Sequence, residues 1–380
     1  MQIMLRKVVL YGTLGLIAAL AAFLVSGRAD SLFIKVLPSD AASFSFARIT
    51  EISEEAHPES PTPYYIQTIR AHFLHTENPQ EETTIHYRGL LGADAAQKMR
   101  VGETVVLVKN KSFEGGDAYF ISDRYHLPPL LGLGLFFFVV VIAFGGWRGL
   151  SSFLGLVASI AILLMYVVPA ILGGQSALFV SFVGASLIAL FSLYLGHGFN
   201  MRTTIALIAT LLTLIIAVGI AVASVHFTGL MGVASEESFL LNLKVATLSL
   251  RGLLLAGIII GMMGVLDDVT VGQAAAVYEL RQANPNLGFR ELYRRGTAIG
   301  REHIASLVNT LVLAYAGASL PVFLYLVVQS QLAPWWMVLN QEVVAEEIVR
   351  TLVGSLALVL AVPITTSLAA YYYGMRKNSE

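Results

Sequence analysis

The chain has 380 residues, of which 56% are hydrophobic and only 13% are charged, and its mean hydropathy is +0.72. A soluble protein carries about 25% charged residues. Water could not solvate this much apolar surface, so the composition excludes an ordinary soluble protein and predicts contact with lipid. The net charge of −1 gives no reason to expect a nucleic-acid partner. The absence of cysteine excludes disulfides, thiol catalysis and cysteine-ligated metals.

The chain begins with a basic pair, Arg6 and Lys7, followed by an apolar run over residues 8–25. Such a run is either a membrane anchor or a cleaved signal peptide. It is long for a signal peptide, and the Ser26–Ala29 exit is a poor cleavage site. The pattern therefore favours an uncleaved first transmembrane helix within residues 1–29.

Residues 30–127 contain charges, prolines and short alternating runs, which are typical of β-strands. About five strands in this length predict a small β-rich domain, a barrel or sandwich, with an OB-like barrel as one form. An acidic cluster in this domain is either a cation site or, as we favour, a solvated loop. The alternating runs are 43–49, 65–69 and 104–108, and the cluster is Glu51, Glu54, Glu55 and Glu59.

The remainder, residues 128–380, is predicted to be a seven-helix transmembrane domain. Each apolar run is long enough to cross a hydrocarbon core of about 30 Å as a helix. The fold class is therefore mainly α, a bundle of about eight spans with one β-rich extracytoplasmic domain. The seven runs are 128–146, 150–172, 175–196, 203–225, 250–274, 303–328 and 347–373.

Lysine and arginine in the short loops predict the orientation. With the N-terminus in the cytoplasm, eleven basic residues lie on the cytoplasmic side, against Lys244, Arg251 and Arg350 on the outer side. Both termini are then cytoplasmic and residues 30–127 are extracytoplasmic. The eleven are Arg6, Lys7, Arg148, Arg202, Arg281, Arg290, Arg294, Arg295, Arg301, Arg376 and Lys377.

The sixth predicted span carries an adjacent acidic pair, Asp267 and Asp268. A charge at the centre of a bilayer costs roughly 2.5–3.5 kcal/mol on the insertion scale, so the pair requires a reason. One interpretation is a relay for H⁺ or Na⁺, because a buried carboxyl can hold and release a proton. The other is a structural pair that is neutralised by Arg148 or Arg301, or hydrated at the cytoplasmic mouth.

Small residues on this span predict which face packs against a neighbouring helix. Asp268 shares their face, so the spacing predicts that Asp268 is buried. Thr270 and Gln273, with Asn309 and Thr310 of the next span, are expected either to complete a polar site or only to join helices. The small residues are Gly257, Gly261, Gly264 and Gly272.

Between these spans, a basic segment contains Arg290, Arg294, Arg295 and Arg301. Residues 288–300 either form a short amphipathic helix along the inner interface or a basic loop that sets the topology. The sequence contains no phosphate-binding loop, His-Glu-x-x-His or Gly-x-Ser-x-Gly motif. We therefore expect no catalytic residues, no metal and no cofactor.

Three segments of the helical part resemble the YibE/F family of bacterial membrane proteins: 264–280, 301–310 and 145–150. The resemblance covers roughly residues 128–375. It implies a multipass protein of the bacterial cytoplasmic membrane with an extracytoplasmic domain near its N-terminus, and it implies no biochemical activity.

A weaker resemblance is to the SecD/SecF and resistance–nodulation–division transporters. They are similar to residues 261–312 in the order of a Gly-x-x-x-Asp helix, a basic segment and a helix rich in Asn and Thr. That resemblance implies that Asp267 or Asp268 takes part in ion coupling. The number of spans before the acidic helix differs, and so does the size of the outer domain.

These features together favour a permease or ion-coupled transporter. The alternative is an assembly factor or sensor whose outer domain binds a partner. The expected partners are the lipid bilayer and H⁺ or Na⁺, with a protein partner or a homo-oligomer as further options.

Overall fold

The computed structural model describes residues 43–59, 64–74, 82–90, 98–111, 117–234, 238, 240, 241, 243, 245, 248–331 and 334–375. Contacts divide the chain into two units, whose described residues lie within 43–140 and within 141–375. The predicted first span, residues 8–25, lies outside the described residues, as do Lys244, Arg376 and Lys377.

The first unit contains five antiparallel strands in the order β3-β2-β1-β4-β5. The three alternating runs of the sequence lie in β1, β2 and β4, so the prediction of a small β-rich domain is confirmed. The strands are β1 (Ser43–His57), β2 (Tyr64–Phe73), β3 (Glu82–Leu90), β4 (Thr104–Lys111) and β5 (Asp117–Arg124).

Period-two burial produces the core of this sheet. On β2, Tyr65, Gln67 and Ile69 are buried while their neighbours are more exposed, as the pleat of a strand requires. The long strand β1 pairs with β4 through its first half and with β2 from Ala47 onward, and the register shifts between Ile49 and Glu51. A bulge at such a point bends a strand and lets one strand serve two halves of a sheet.

The described helices number nine, not counting a short π-helical turn, Leu163–Val167, between the first two. They are α1 (Leu127–Ile162), α2 (Val168–Leu172), α3 (Ala177–His197), α4 (Met201–Thr228), α5 (Leu250–Ala283), α6 (Phe289–Ala318), α7 (Leu320–Gln329), α8 (Trp335–Leu339) and α9 (Glu342–Met375).

The apolar stretch Leu127–Leu172 contains one break, at Gly146, where φ is 53° and ψ is −133°. Only glycine adopts this conformation readily. A methyl group on Gly149 would lie 2.2 Å from the carbonyl oxygen of Val141. Eight residues of straight helix span about 12 Å, so the chain bends sharply here. The break lies where the sequence predicts a turn between two spans.

Five described helical stretches are long and apolar enough to cross a membrane, or six if α6 and α7, which are bent by 65°, form one span. The structure therefore supports a membrane protein but does not reach the predicted eight spans. Helices α5 and α9 lie at the centre of the bundle, where both pack against α4 and α6 and α5 also packs against α3.

The basic segment after α5 is not the short separate helix that was one of its two predicted forms. Pro285 lies in a turn that ends α5, as expected, but residues 289–300 are the first part of the continuous 30-residue helix α6. The prediction of a separate short amphipathic helix is therefore wrong. Residues 289–318 contain no proline that would end the helix, and Gly296 and Gly300 are held by packing against other helices.

Candidate functional site

The acidic pair lies about 25 Å along α5 from Leu250, given a rise of 1.5 Å per residue. Asp267 points into the bundle and is 9% exposed. Asp268, about 100° further around the helix, is exposed. The prediction that Asp268 is the buried member is wrong, because the glycine face on which it lies is not the packed face of α5.

Few polar groups of the described residues lie near the Asp267 side chain. The hydroxyl of Ser192 on α3 lies near its carboxylate, and the Oδ1 atom has no hydrogen-bond partner among the described residues. Within the described chain, no Lys, Arg or His nitrogen lies within 4 Å of either aspartate, so Arg148 and Arg301 do not neutralise the pair. No basic side chain of the described residues therefore compensates this buried carboxylate.

Thr270 connects the acidic turn to α4. Its side chain is fully buried, donates to the carbonyl oxygen of Asp267 at 3.1 Å, and lies 2.8 Å from the hydroxyl of Thr210. Thr210 was not among the predicted site residues. The signal was the spacing of Thr203, Thr210 and Thr213, all buried on one face of α4.

Gln273 joins three helices. Its Nε2 donates to the carbonyl oxygen of Gly296 on α6 and to the hydroxyl of Thr366 on α9, both at 2.7 Å. A methyl group on Gly300 would lie 2.9 Å from Gln273 Oε1 and 2.3 Å from a methyl of Val362. The Gly296-x-x-x-Gly300 pair is a small-residue packing motif that was not among the predicted residues.

Asn309 and Thr310 do not join the site. Both are exposed on α6, and the Thr310 hydroxyl donates to the carbonyl oxygen of Ser306 one turn earlier. The structure does not bring them together with Asp267, because α6 turns its other face toward α5.

Most glycines of α5 do not lie at the close helix contacts that their spacing predicts. Methyl groups on Gly257, Gly264 and Gly272 would meet no atom within 4 Å among the described residues, whereas one on Gly261 would lie 2.8 Å from the Tyr315 hydroxyl. Close packing on this face is therefore found at Gly261 alone of the four.

The basic segment lies on the exposed surface of α6. Arg294 and Arg295 both pair with Glu291, at 2.7 and 2.8 Å. Arg290 and Arg301 are exposed as well. None of the four arginines lies in the polar interior around Asp267.

A second set of carboxylates lies in the first turns of α9. Glu342 accepts hydrogen bonds from the backbone N–H groups of Met231 and Gly232, at 2.6 and 3.0 Å. Glu346, which is 7% exposed, accepts one from Ala234 at 3.3 Å. Unlike Asp267, these carboxylates accept hydrogen bonds from backbone N–H groups, which compensate them for the loss of water.

The described residues contain no group of three His, Asp or Glu side chains that could hold a metal ion. No curated protein and no solved structure matches the chain. The family described as YibE/F-like protein matches residues 133–375, which span the bundle from α1 to the end of α9 and include the acidic pair. The chain therefore belongs to the YibE/F family of membrane proteins.

Proposed function

We propose that this protein is an ion-coupled permease in which Asp267 binds the coupling ion, H⁺ or Na⁺. The observation that carries the proposal is the burial of Asp267. Its Oδ1 has no hydrogen-bond partner, and no Lys, Arg or His nitrogen of the described residues lies within 4 Å of it. The proposed activity is transport without a catalytic step, and it requires no cofactor.

The energetics favour an ion at this carboxyl. Burying an uncompensated charge is costly, and such a group is stable only when it is neutralised. Glu342 and Glu346 of the same bundle are satisfied by backbone donors. The only compensating group near the Asp267 carboxylate among the described residues is the Ser192 hydroxyl. A bound proton or a small cation is therefore the simplest source of the missing compensation.

The surrounding hydroxyls and amide support a site that can rearrange. Three buried hydroxyls lie at contacts between helices. Each forms a hydrogen bond with a side chain of a different helix: Thr210 with Thr270, and Thr366 with Gln273. Hydroxyls can switch between donor and acceptor roles. A polar interior of this kind can accommodate a shift between helices without leaving a group unsatisfied.

An arrangement of eight spans is consistent with the bundle. The break at Gly146 divides the 46-residue stretch Leu127–Leu172, which is far longer than the 20 or so residues that cross a bilayer. The two halves, the bent pair α6–α7 taken as one span, and the predicted span 8–25 then bring the total to eight. The loop charges would place both termini in the cytoplasm and the sheet outside a bacterial cytoplasmic membrane.

We also infer that the outer sheet is an OB-like barrel. Its first strand is shared by both halves of the sheet, and the edge strands β3 and β5 lie close to each other. A five-stranded, partly open barrel has this form. In the proposed permease this domain would receive a substrate or bind a protein partner.

The neighbouring aspartates provide a matched pair of variants for the test. Purified wild type, Asp267→Asn and Asp268→Asn would be reconstituted at equal density into liposomes that contain a pH-sensitive dye. An imposed potential would drive proton entry, and a parallel assay would follow uptake of radioactive Na⁺. Size-exclusion profiles in detergent would verify that each variant is folded.

We expect ion entry above that of empty liposomes in the wild type. Asp267→Asn should lower the rate by roughly tenfold or more, because the amide cannot carry the ion, while the exposed Asp268→Asn should retain most of it. Equal rates in wild type and Asp267→Asn would contradict the proposal. Wild-type rates equal to empty liposomes in both assays would favour the alternative, an assembly factor or sensor.

A further inference from the structure

Asp267 lies nearer one end of the helical bundle than the other. The far end is the end at which α5 and α9 begin, and about 25 Å of α5 separate Asp267 from Leu250 there. The near end is the end at which α3 ends and α4 begins. Only five residues of α3 follow Ser192, the neighbour of the Asp267 carboxylate, before the helix ends at His197. The route to the carboxylate from the near end is therefore the shorter one.

Apolar side chains fill the bundle between Asp267 and the far end. Most of the α5 residues concerned belong to one core cluster with residues of α4 and α9. A close-packed apolar core gives a hydrated ion neither space nor a hydrogen-bond partner. Beyond this core, Glu342 and Glu346 hold the backbone of residues 231–234 against the start of α9. The buried residues of α5 between Leu250 and Asp267 are Leu254, Leu255, Ala256, Ile258, Ile259, Met262, Met263 and Leu266.

Small and hydroxyl residues lie between Asp267 and the near end. A methyl group on Gly155 of α1 would lie 3.5 Å from the Cα atom of Ser192, and one on Gly196 of α3 would lie 3.9 Å from the Ser152 hydroxyl. Ser192 itself is only partly buried. These four residues form a narrow contact between α1 and α3, which we call the seam. Its hydroxyls can bind an ion or pass on a proton, which the apolar core cannot do.

Charged side chains surround the near end of the seam. Asp268 is exposed and lies within electrostatic range of His197, as Arg148 and Arg202 also do. Arg202 pairs with Glu279 at 3.7 Å. Charged groups of this kind require water around them. The boundary between water and the bundle therefore lies close to the end of α3.

We propose that the ion reaches Asp267 from the near end, along the seam and past Ser192, and that this structure is the state closed toward the far end. The inference rests on the proposed ion site at Asp267. The basic residues predict that the loop between α3 and α4 is cytoplasmic, so this is the inward-facing state of the proposed permease. The Ser192 hydroxyl is the last group that the ion meets before the carboxylate.

Thiol labelling tests this path without relying on transport, because the chain contains no cysteine. Ser192→Cys would be exposed to a small cationic methanethiosulfonate that does not cross membranes, added to either side of sealed vesicles. The exposed-loop variants Phe199→Cys and Val233→Cys identify the near and far sides. Ser181→Cys is the matched control, because it makes the same substitution on the same helix at a fully buried position farther from the near end.

We expect Ser192→Cys to react with reagent added to the side that labels Phe199→Cys. It should react roughly tenfold or more faster than Ser181→Cys, since a thiol reacts only where the reagent can reach it. Equal rates at the two positions would overturn the proposal. So would faster labelling of Ser192→Cys from the side that labels Val233→Cys.

A second pair of variants tests the seam as the route. Gly196→Val in the Ser192→Cys background adds a branched side chain beside Ser152 and should slow the labelling roughly threefold or more. Gly219→Val on α4, where a methyl group meets nothing within 4 Å, is the matched control. Size-exclusion profiles would verify that both variants are folded. Equal labelling rates in the two backgrounds would contradict the seam as the route.

These results are independent of the flux assay. One-sided labelling of Ser192→Cys in a protein that admits no ion would support access to Asp267 from the near end but contradict the proposed permease. Ion entry that depends on Asp267, without one-sided labelling of Ser192→Cys, would contradict only the path.

Discussion

The two faces of α5 have opposite characters. The inner face carries Asp267, Thr270 and Gln273, which are all buried and contact side chains or backbone of α3, α4, α6 and α9. The other face carries glycines and Asp268, which are exposed. In this helix, the side chains that can hydrogen-bond mark the packed face and most of the glycines do not.

The difference teaches where small residues act. The tight approach to α5 is made by glycines of its neighbour, because Gly296 and Gly300 on α6 leave room for Gln273 and Val277 of α5 and for Val362 and Thr366 of α9. A long polar side chain on one helix and a glycine on the next fit together. Variants on the two faces should therefore differ in size and sign of effect.

The largest effect is expected at Gly300. An alanine methyl there would lie 2.3 Å from a methyl of Val362 and 2.9 Å from Gln273 Oε1. Both atoms belong to a packed three-helix junction with little freedom to move. We expect Gly300→Ala to lower the free energy of unfolding by about 3 kcal/mol, near the upper end for overpacked cores. Denaturant titration in detergent micelles would measure the loss.

The control for this variant is Gly257→Ala on the exposed face, where a methyl group meets nothing within 4 Å. A loss at Gly300 that is no larger than the change at Gly257 would mean that the α5–α6–α9 junction is loosely packed.

A smaller loss is expected at Gln273. Gln273→Met keeps a long unbranched side chain but removes both hydrogen bonds of the amide. Two buried neutral hydrogen bonds at about 1 kcal/mol each predict a loss near 2 kcal/mol. Gln282→Met, at an exposed position of the same helix, should change stability by less than about 0.5 kcal/mol.

A double-mutant cycle separates the bond from its surroundings. Combining Gln273→Met with Thr366→Val should give a loss smaller than the sum of the two single losses, because the contact is removed only once. Additive losses would contradict a direct Gln273–Thr366 interaction.

Much of the architecture could be predicted from local patterns. The alternating runs are strands because period two places their apolar residues on one side of the sheet. The long apolar runs are helices, and the break between two of them falls at Gly146. The register shift in β1 and the junction of 289–300 with the rest of α6 could not be predicted, because tertiary contacts determine both.

The site could be predicted only in part. An acidic pair within an apolar helix has a high cost, so Asp267 and Asp268 could be selected from sequence alone. Which of the two is buried depends on the position of α3, and the role of Thr210 depends on the position of α4. Spacing within one helix defines its faces but does not show which face packs against a neighbouring helix. The glycines of α5 predicted the wrong face as the packed one.

The smallest predicted effect concerns that misassigned face. Gly264 is exposed, and a methyl group there meets nothing within 4 Å. Alanine favours helix over glycine by nearly 1 kcal/mol in an exposed helix interior. Gly264→Ala should therefore raise the free energy of unfolding by about 0.5 kcal/mol in detergent, the lower end of the usual difference between alanine and glycine inside a helix. A loss of stability at Gly264 would mean that another helix, from this chain or a second copy, covers this face, and the contrast between the two faces of α5 would then hold only for the contacts described here.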